Sequence, residues 1–410
     1  MIRESEAPPV PFALLLAEVT SVQTLATLSV LTLATVAPLA AASLGVGAEA
    51  VGYQVSLIYA AAALVSAFAG VVVRRWGAGT ASVAAMTLGF VGCLGLTAGA
   101  LWVAALASLL LGVGYGLVNP ASSHLLNRFT PAARRNLVFS LKQTGVPLAG
   151  VLAGLLLPSI GQFAGWRAAA IAVAALFALT LAVFAPGRRR WDDDRSPGLR
   201  LRGSLLEGPQ LVWRVRALRG YALMAFCFAA LQLSLMTFTV TMLVHDLGWG
   251  IVAAGGAVAV VQAVGAAGRI VWGALADRLR SGTAVLAGIG ALSAAAALTA
   301  AALTPGWPME AVVAVLAVFG AASIGWNGVF LAEVARVAPP GAVGAATGGA
   351  LMFTFAGVVV GPALFATVFD RLGSYGSTFA LMAVFPLVGA IAVLRTGRGA
   401  GESDALRQNA

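Results

Sequence analysis

The chain has 410 residues, 60% hydrophobic and 10% charged, with a formal net charge of +10 at pH 7. No soluble domain of this length could hide so much apolar surface in one core, so lipid must be the solvent for most of it. A pI near 10.9 would suit nucleic acid, but the basic residues sit in short segments between apolar runs, and no nucleic-acid partner is expected.

The apolar runs lie at 12–42, 51–73, 79–99, 101–126, 137–158, 166–185, 220–244, 251–275, 283–303, 309–334, 345–368 and 377–394. About 20 apolar residues span roughly 30 Å of hydrocarbon as a helix, so the fold class is an all-α membrane protein with twelve transmembrane helices. A β-barrel would need ~10-residue segments of alternating polarity, and none appears. The first run is too long for a signal-peptide core and follows a leader with Pro8, Pro9 and Pro11, so it is expected to remain as helix 1. Cys93 and Cys227 fall inside apolar runs as small hydrophobes; no disulfide, metal or cofactor is expected.

Assigning alternate loops to one side gathers 21 arginines there, from Arg3, Arg74 and Arg75 through the nine between Arg188 and Arg219 to Arg407, against Arg167 and Arg371 opposite. The positive-inside rule then places both termini in the cytoplasm of a multi-pass protein of a bacterial inner membrane. The one long polar stretch, 187–219, divides an N-terminal six-helix half (1–186) from a C-terminal one (220–410). Its charges read as a solvated cytoplasmic linker.

The halves repeat. A shift of 203 residues lays Gly45, Gly47, Gly52 and Gly70 on Gly248, Gly250, Gly255 and Gly273, and Arg75 on Arg278; a shift of 209 lays Gly116, His124 and Pro131 on Gly325, Glu333 and Pro340. Duplicated halves are the signature of transporters that rock one half against the other around a midplane site. The stretch Gly273-Ala-Leu-Ala-Asp277-Arg278 resembles the loop motif of the major facilitator superfamily. That resemblance implies two pseudo-symmetric six-helix bundles, a monomer working by alternating access, and gating roles for Asp277 and Arg278. The equivalent place in the first half reads Gly70-Val-Val-Val-Arg74-Arg75, with Arg74 where the family has aspartate. The latch there is expected to be weakened or made differently.

Only Lys142 and Arg269 among the 25 basic residues fall within helices. A charge near the bilayer centre costs roughly 2.5–3.5 kcal/mol and marks a pathway or a partner. Lys142, the only lysine, lies about 10 Å into helix 5, and Arg269 about 12 Å into helix 8. The superfamily's fold implies that these charges face each other across the central cavity, which calls for an anion. Arg269-Ile-Val-Trp272-Gly273 with Asp277 is further similar to helix 8 of the oxalate:formate antiporter and monocarboxylate transporter branch, whose arginine binds a carboxylate. That branch's second cation, in helix 11, corresponds here to Thr354, and Lys142 occupies the pseudo-symmetric place in helix 5.

Gln23, Tyr59, Tyr115, Asn119, Gln143, Gln262, Trp326 and Asn327 are polar residues that could line the cavity or bond between helices. Glu18 and Glu333 are candidates for proton coupling; Glu333 with Arg336 also suits a gate ion pair, with His124 in the matching place. Close helix contacts are expected at Gly112, Gly114, Gly116, Gly150 and Gly154. The expected function is secondary active transport of a small organic anion, a mono- or dicarboxylate, by proton coupling or exchange. The alternative is efflux of hydrophobic cations with Glu18 as the binding group, for which Gly145-Val-Pro147-Leu-Ala-Gly150 is loosely similar to the drug-antiporter motif. No Gly-x-x-x-x-Gly-Lys loop for direct ATP drive is present, and no enzymatic activity is expected.

Overall fold

The computed structural model describes residues 12–46, 50–199 and 206–408. Arg3, Arg200 and Arg202 of the basic side, and Gly47 of the repeat, lie outside the described residues. Among the described residues, twelve helical spans are long and apolar enough to cross a membrane: α1 (Phe12–Thr35), α2 (Gln54–Trp76), α3 (Ala78–Leu96), α4 (Leu101–Phe129), α5 (Ala132–Ala164), α6 (Trp166–Trp191), α7 (Arg216–His245), α8 (Ala253–Arg278), α9 (Gly282–Ala301), α10 (Met309–Val337), α11 (Val343–Leu372) and α12 (Tyr375–Thr396). They form two six-helix bundles, and the outer faces expose large apolar side chains such as Leu64, Trp102, Leu155 and Phe163. Such a surface belongs against lipid.

Three spans are interrupted. α5 breaks between Arg135–Gln143 and Gly145–Ala164, α10 between Met309–Gly325 and Asn327–Val337, and α12 between Tyr375–Met382 and the helix that starts at Val384. Where helices run without a break, small residues let backbones approach. A Cβ on Gly112 or Gly116 of α4 would press on the Ile58 or Ala62 carbonyl of α2, and one on Gly114 on the Ala85 carbonyl of α3. In a bilayer such close packing supplies the association that the hydrophobic effect cannot. Gly150 and Gly154 do not follow the expectation: nothing approaches their Cβ positions, and both face outward on α5.

The halves meet at the arginine-rich end. There α2 lies on α11, with no room for a side chain at Gly70 against Ala345 or at Gly348 against Ser66. The first turns of α5 lie on α8 and α10, where Gly273 and Gly328 both accommodate Ser140. Among the described residues, α1 and α7 make no broad contact with the opposite half.

The polar segment after α6 is more ordered than a solvated linker. Asp192, 3% exposed, accepts hydrogen bonds from the Gly79 amide (2.7 Å) and from the Thr80 amide (3.1 Å) and hydroxyl (2.6 Å), capping the start of α3. A carboxylate there satisfies free N–H groups and the positive end of the helix dipole. Further on, the short helix Glu207–Arg214 packs on both α2 and α11, its Gly208 backbone against Ala67, Ala345 and Gly349. Burial of Asp192, Gly208 and Val212 explains why a charge count alone misjudged the segment.

Candidate functional site

Lys142 and Arg269 are 1% and 2% exposed. An ammonium carries three N–H donors. In Lys142 they meet three neutral side-chain oxygens: Gln23 Oε1 on α1 at 2.7 Å, Asn119 Oδ1 on α4 at 2.5 Å and Gln143 Oε1 at 3.2 Å. Gln23 is oriented in turn by donating to Thr27 Oγ1 at 3.2 Å. Arg269 crosses the seam from α8, and its Nη1 donates to the Gln143 carbonyl at 2.9 Å. The two cations therefore meet through one residue, rather than facing each other over open space as the sequence suggested. Each lies within electrostatic reach of the other.

None of the ion pairs among the described residues involves Lys142 or Arg269. The Arg269 Nε is buried and has no hydrogen-bond partner. Leaving a buried cation without a counter-charge costs several kcal/mol, so two such cations amount to a standing demand for negative charge.

An aromatic group adjoins the pair. The Tyr115 hydroxyl lies near the polar groups of Thr27, Gln23 and Tyr59, within electrostatic reach of Arg269. The rings of Tyr59, Tyr115 and Phe355 stand 5.8, 5.8 and 6.0 Å apart, so α2, α4 and α11 contribute one face each. The structure thus brings together Lys142, Arg269, Gln143, Asn119, Tyr115, Tyr59 and Gln23. Gln262 shares Arg269's helix face two turns away, partly exposed. Thr354 donates to its own helix at Ala350 O, 3.3 Å, leaving Phe355 as the α11 side chain at the cluster. Trp326 and Asn327 belong to a separate group inside the C-terminal half, both donating to Gln232 Oε1, at 2.9 and 3.3 Å.

At the arginine-rich end, Asp277 accepts from the Asn136 amide (3.1 Å), the Asn136 side chain (2.9 Å) and the Leu137 amide (2.9 Å), at the start of α5 in the other half. Arg278 beside it is exposed. Arg74 pairs with Glu207 of the short helix, and Arg75 donates to the Leu199 carbonyl at 2.5 Å. Glu333 is enclosed within its own half, accepting from Tyr221 (3.0 Å) and from Arg336 Nη2 (2.6 Å). Its counterpart His124 pairs with Asp194 at 2.7 Å. Glu18 accepts from Trp191 Nε1 at 2.9 Å, and Trp191 in turn packs on Phe129.

Sequence reasoning missed Asn136, Glu207, Gln232 and Phe355. Two of these left a signal: Gln232 is a lone amide in an apolar run, and Glu207 is the only acidic residue between Asp194 and Asp246. Phe355 and Asn136 left none, since a phenylalanine in a span and an asparagine at a helix start are both ordinary.

The model of the Major Facilitator Superfamily matches residues 19–348. Two uncharacterized MFS-type transporters of Mycobacterium tuberculosis, from strains CDC 1551 and H37Rv, are each 27% identical over 305 residues, covering 71% of this chain and 66% of theirs. The match thus spans just under two thirds of those relatives. The fold is similar to that of the E. coli fucose:proton symporter FucP (TM-score 0.73, 14% identity, 93% of this chain and 98% of that one). It is also similar to the proton:xylose symporter XylE (0.72, 15%, 93% and 96%) and to the human organic anion transporter MFSD10 (0.73, 16%, 93% and 99%). The chain belongs to the Major Facilitator Superfamily, and its twelve apolar helices make it a multi-pass membrane protein of that family.

Proposed function

We propose that this chain moves a small organic anion, a mono- or dicarboxylate, across a bacterial inner membrane by alternating access between two units, 1–186 and 220–410. The observation that carries this reading is the pair of buried cations on opposite halves, with no acidic partner among the described residues and with Arg269 Nε unsatisfied. The carboxylate would take the guanidinium, and Lys142, fixed by its three amide partners, would supply field more than contact. Tyr59, Tyr115 and Phe355 would border the organic part.

The arginine-rich end is taken as cytoplasmic, with both termini on that side. Contact between the halves at that end then corresponds to a state closed to the cytoplasm, with Asp277 and the Arg74–Glu207 pair as its fastenings. Glu18 and Glu333 are each engaged away from the two cations, which favours anion exchange over proton coupling. The same engagement of Glu18 with Trp191 counts against efflux of hydrophobic cations.

Counterflow in proteoliposomes against a panel of carboxylates, with lipophilic cations as control, tests the reading. Lys142→Ala and Arg269→Ala should each abolish carboxylate counterflow at normal expression, and an imposed pH gradient should not drive uptake. Counterflow of cations alone, or undiminished carboxylate counterflow in both variants, would reject it.

A further inference from the structure

In an α-helix the carbonyl of residue i accepts from the N–H of residue i+4, and proline has no N–H to give. Pro147 therefore leaves the Gln143 carbonyl without its helical donor. The ladder resumes one step later, with the Leu148 amide on the Thr144 carbonyl at 3.0 Å. The freed carbonyl is the atom that accepts Arg269 Nη1. The same device operates in α4, where Pro120 frees the Gly116 carbonyl and Ser66 Oγ of α2 fills it at 3.0 Å. In α4 the donor is a neutral hydroxyl from the same half; in α5 it is an ionised guanidinium from the opposite half.

We propose that Pro147 is a positioning residue that creates a docking point for Arg269, so that one hydrogen bond clasps the halves together while no anion is bound, and an anion that takes the guanidinium releases the clasp. The clasp stands on geometry alone; its release rests on the proposed anion site. A buried carbonyl and a buried guanidinium each need a partner, so the bond satisfies both at once. An arriving carboxylate is a stronger acceptor for the guanidinium than a neutral carbonyl. Binding would thereby loosen the seam at the place where the substrate sits.

The clasp can be read without any substrate. Val73 on α2 is 1% exposed and faces Gly344 of α11 across the seam. In the full-length chain carrying Cys93→Ala and Cys227→Ala, the rate at which N-ethylmaleimide alkylates Val73→Cys in proteoliposomes reports how often that seam opens. Pro147→Ala restores a backbone donor to Gln143 and should speed alkylation about ten-fold, the factor for loss of one charge-assisted hydrogen bond. Arg269→Met should do the same, and the double variant should be no faster than Arg269→Met alone. Arg269→Gln serves the same purpose if Arg269→Met does not fold. Multiplying effects in the double variant, or an unchanged rate in Pro147→Ala, would overturn the clasp, because a proline acting only on helix shape would not depend on Arg269. Acetate, oxalate or succinate should speed alkylation in the parent and not in Arg269→Met. If the cycle holds but none of the three anions has an effect, release by an anion is overturned and the clasp is kept.

Discussion

Asp277 offers the sharpest quantitative test of how the two halves are fastened. Asp277→Asn keeps the volume but replaces an acceptor-only carboxylate with one oxygen and one NH2 group. The oxygen can still accept from Asn136, whereas the new NH2 faces the Leu137 amide donor, now 2.9 Å from Oδ2. One charge-assisted bond of about 1.5–3 kcal/mol is lost, the others fall toward the neutral value of about 1 kcal/mol, and the charge at the helix start contributes up to about 1 kcal/mol. Asp277 is only partly buried, so water replaces some of this. A net weakening of about 2 kcal/mol remains, which is roughly thirty-fold in the open-to-closed ratio at 1.36 kcal/mol per ten-fold. Alkylation of Val73→Cys should therefore accelerate about thirty-fold in Asp277→Asn. Arg278→Gln, which removes an exposed neighbouring charge, should leave the rate within two-fold. Equal rates in Asp277→Asn and its parent would show that the α5–α8 contact does not fasten the halves. Equal acceleration in Arg278→Gln would show that net charge, rather than this hydrogen-bonded docking, is at work.

Two further effects follow from the segment after α6. Glu207→Gln removes the partner of Arg74; both side chains are about a quarter exposed, so the pair is worth no more than about 1 kcal/mol, and alkylation at position 73 should rise two- to five-fold, an increase that high salt in the parent should partly reproduce. Asp193 receives two hydrogen bonds from Arg128, at 2.6 and 2.5 Å, which hold its carboxyl below the usual carboxylate range. A depressed native pKa stabilises the fold above the unfolded value of about 3.9 and is lost as pH falls through the lower native value. The thermal stability of the parent should thus exceed that of Asp193→Asn slightly at pH 7, and the gap should close below about pH 4, as followed by differential scanning fluorimetry.

The membrane class and the twelve spans were legible because the length of an apolar run is set by bilayer thickness, a constraint that acts locally. Lys142 and Arg269 stood out for the same reason, since charge within a span is costly wherever it occurs. Their partners could not be read: Gln23 and Asn119 approach Lys142 over sequence separations of 119 and 23 residues, and nothing in their spacing announces it. The glycines show the limit clearly. Gly112 and Gly116 are spaced like Gly150 and Gly154, yet the first pair is pressed against α2 and the second faces outward. Spacing gives a face of a helix but not what lies opposite. The order in the segment after α6 was hidden likewise, because the partners of Asp192 and Glu207 lie 112 to 133 residues away.

Asp277 and Arg74 occupy matching places in the repeat, and each is followed three residues later by a positive-φ residue, although the chemistry of the two places differs. Gly77 and Arg280, equivalent under the 203-residue shift, both take a positive φ, of 96° and 51°. For an arginine that conformation costs of order 1 kcal/mol, so the turn is imposed by the fold rather than chosen by the residue. The C-terminal half carries its own acid to the start of α5. The N-terminal half has an arginine at the matching place, and its acid is Glu207, from the short helix lodged between α2 and α11. The α5–α8 seam is therefore fastened by residues of the two bundles alone. The α2–α11 seam depends in addition on a segment that belongs to neither repeat, so a change in that segment should act on one seam and leave the Asp277 docking as it is.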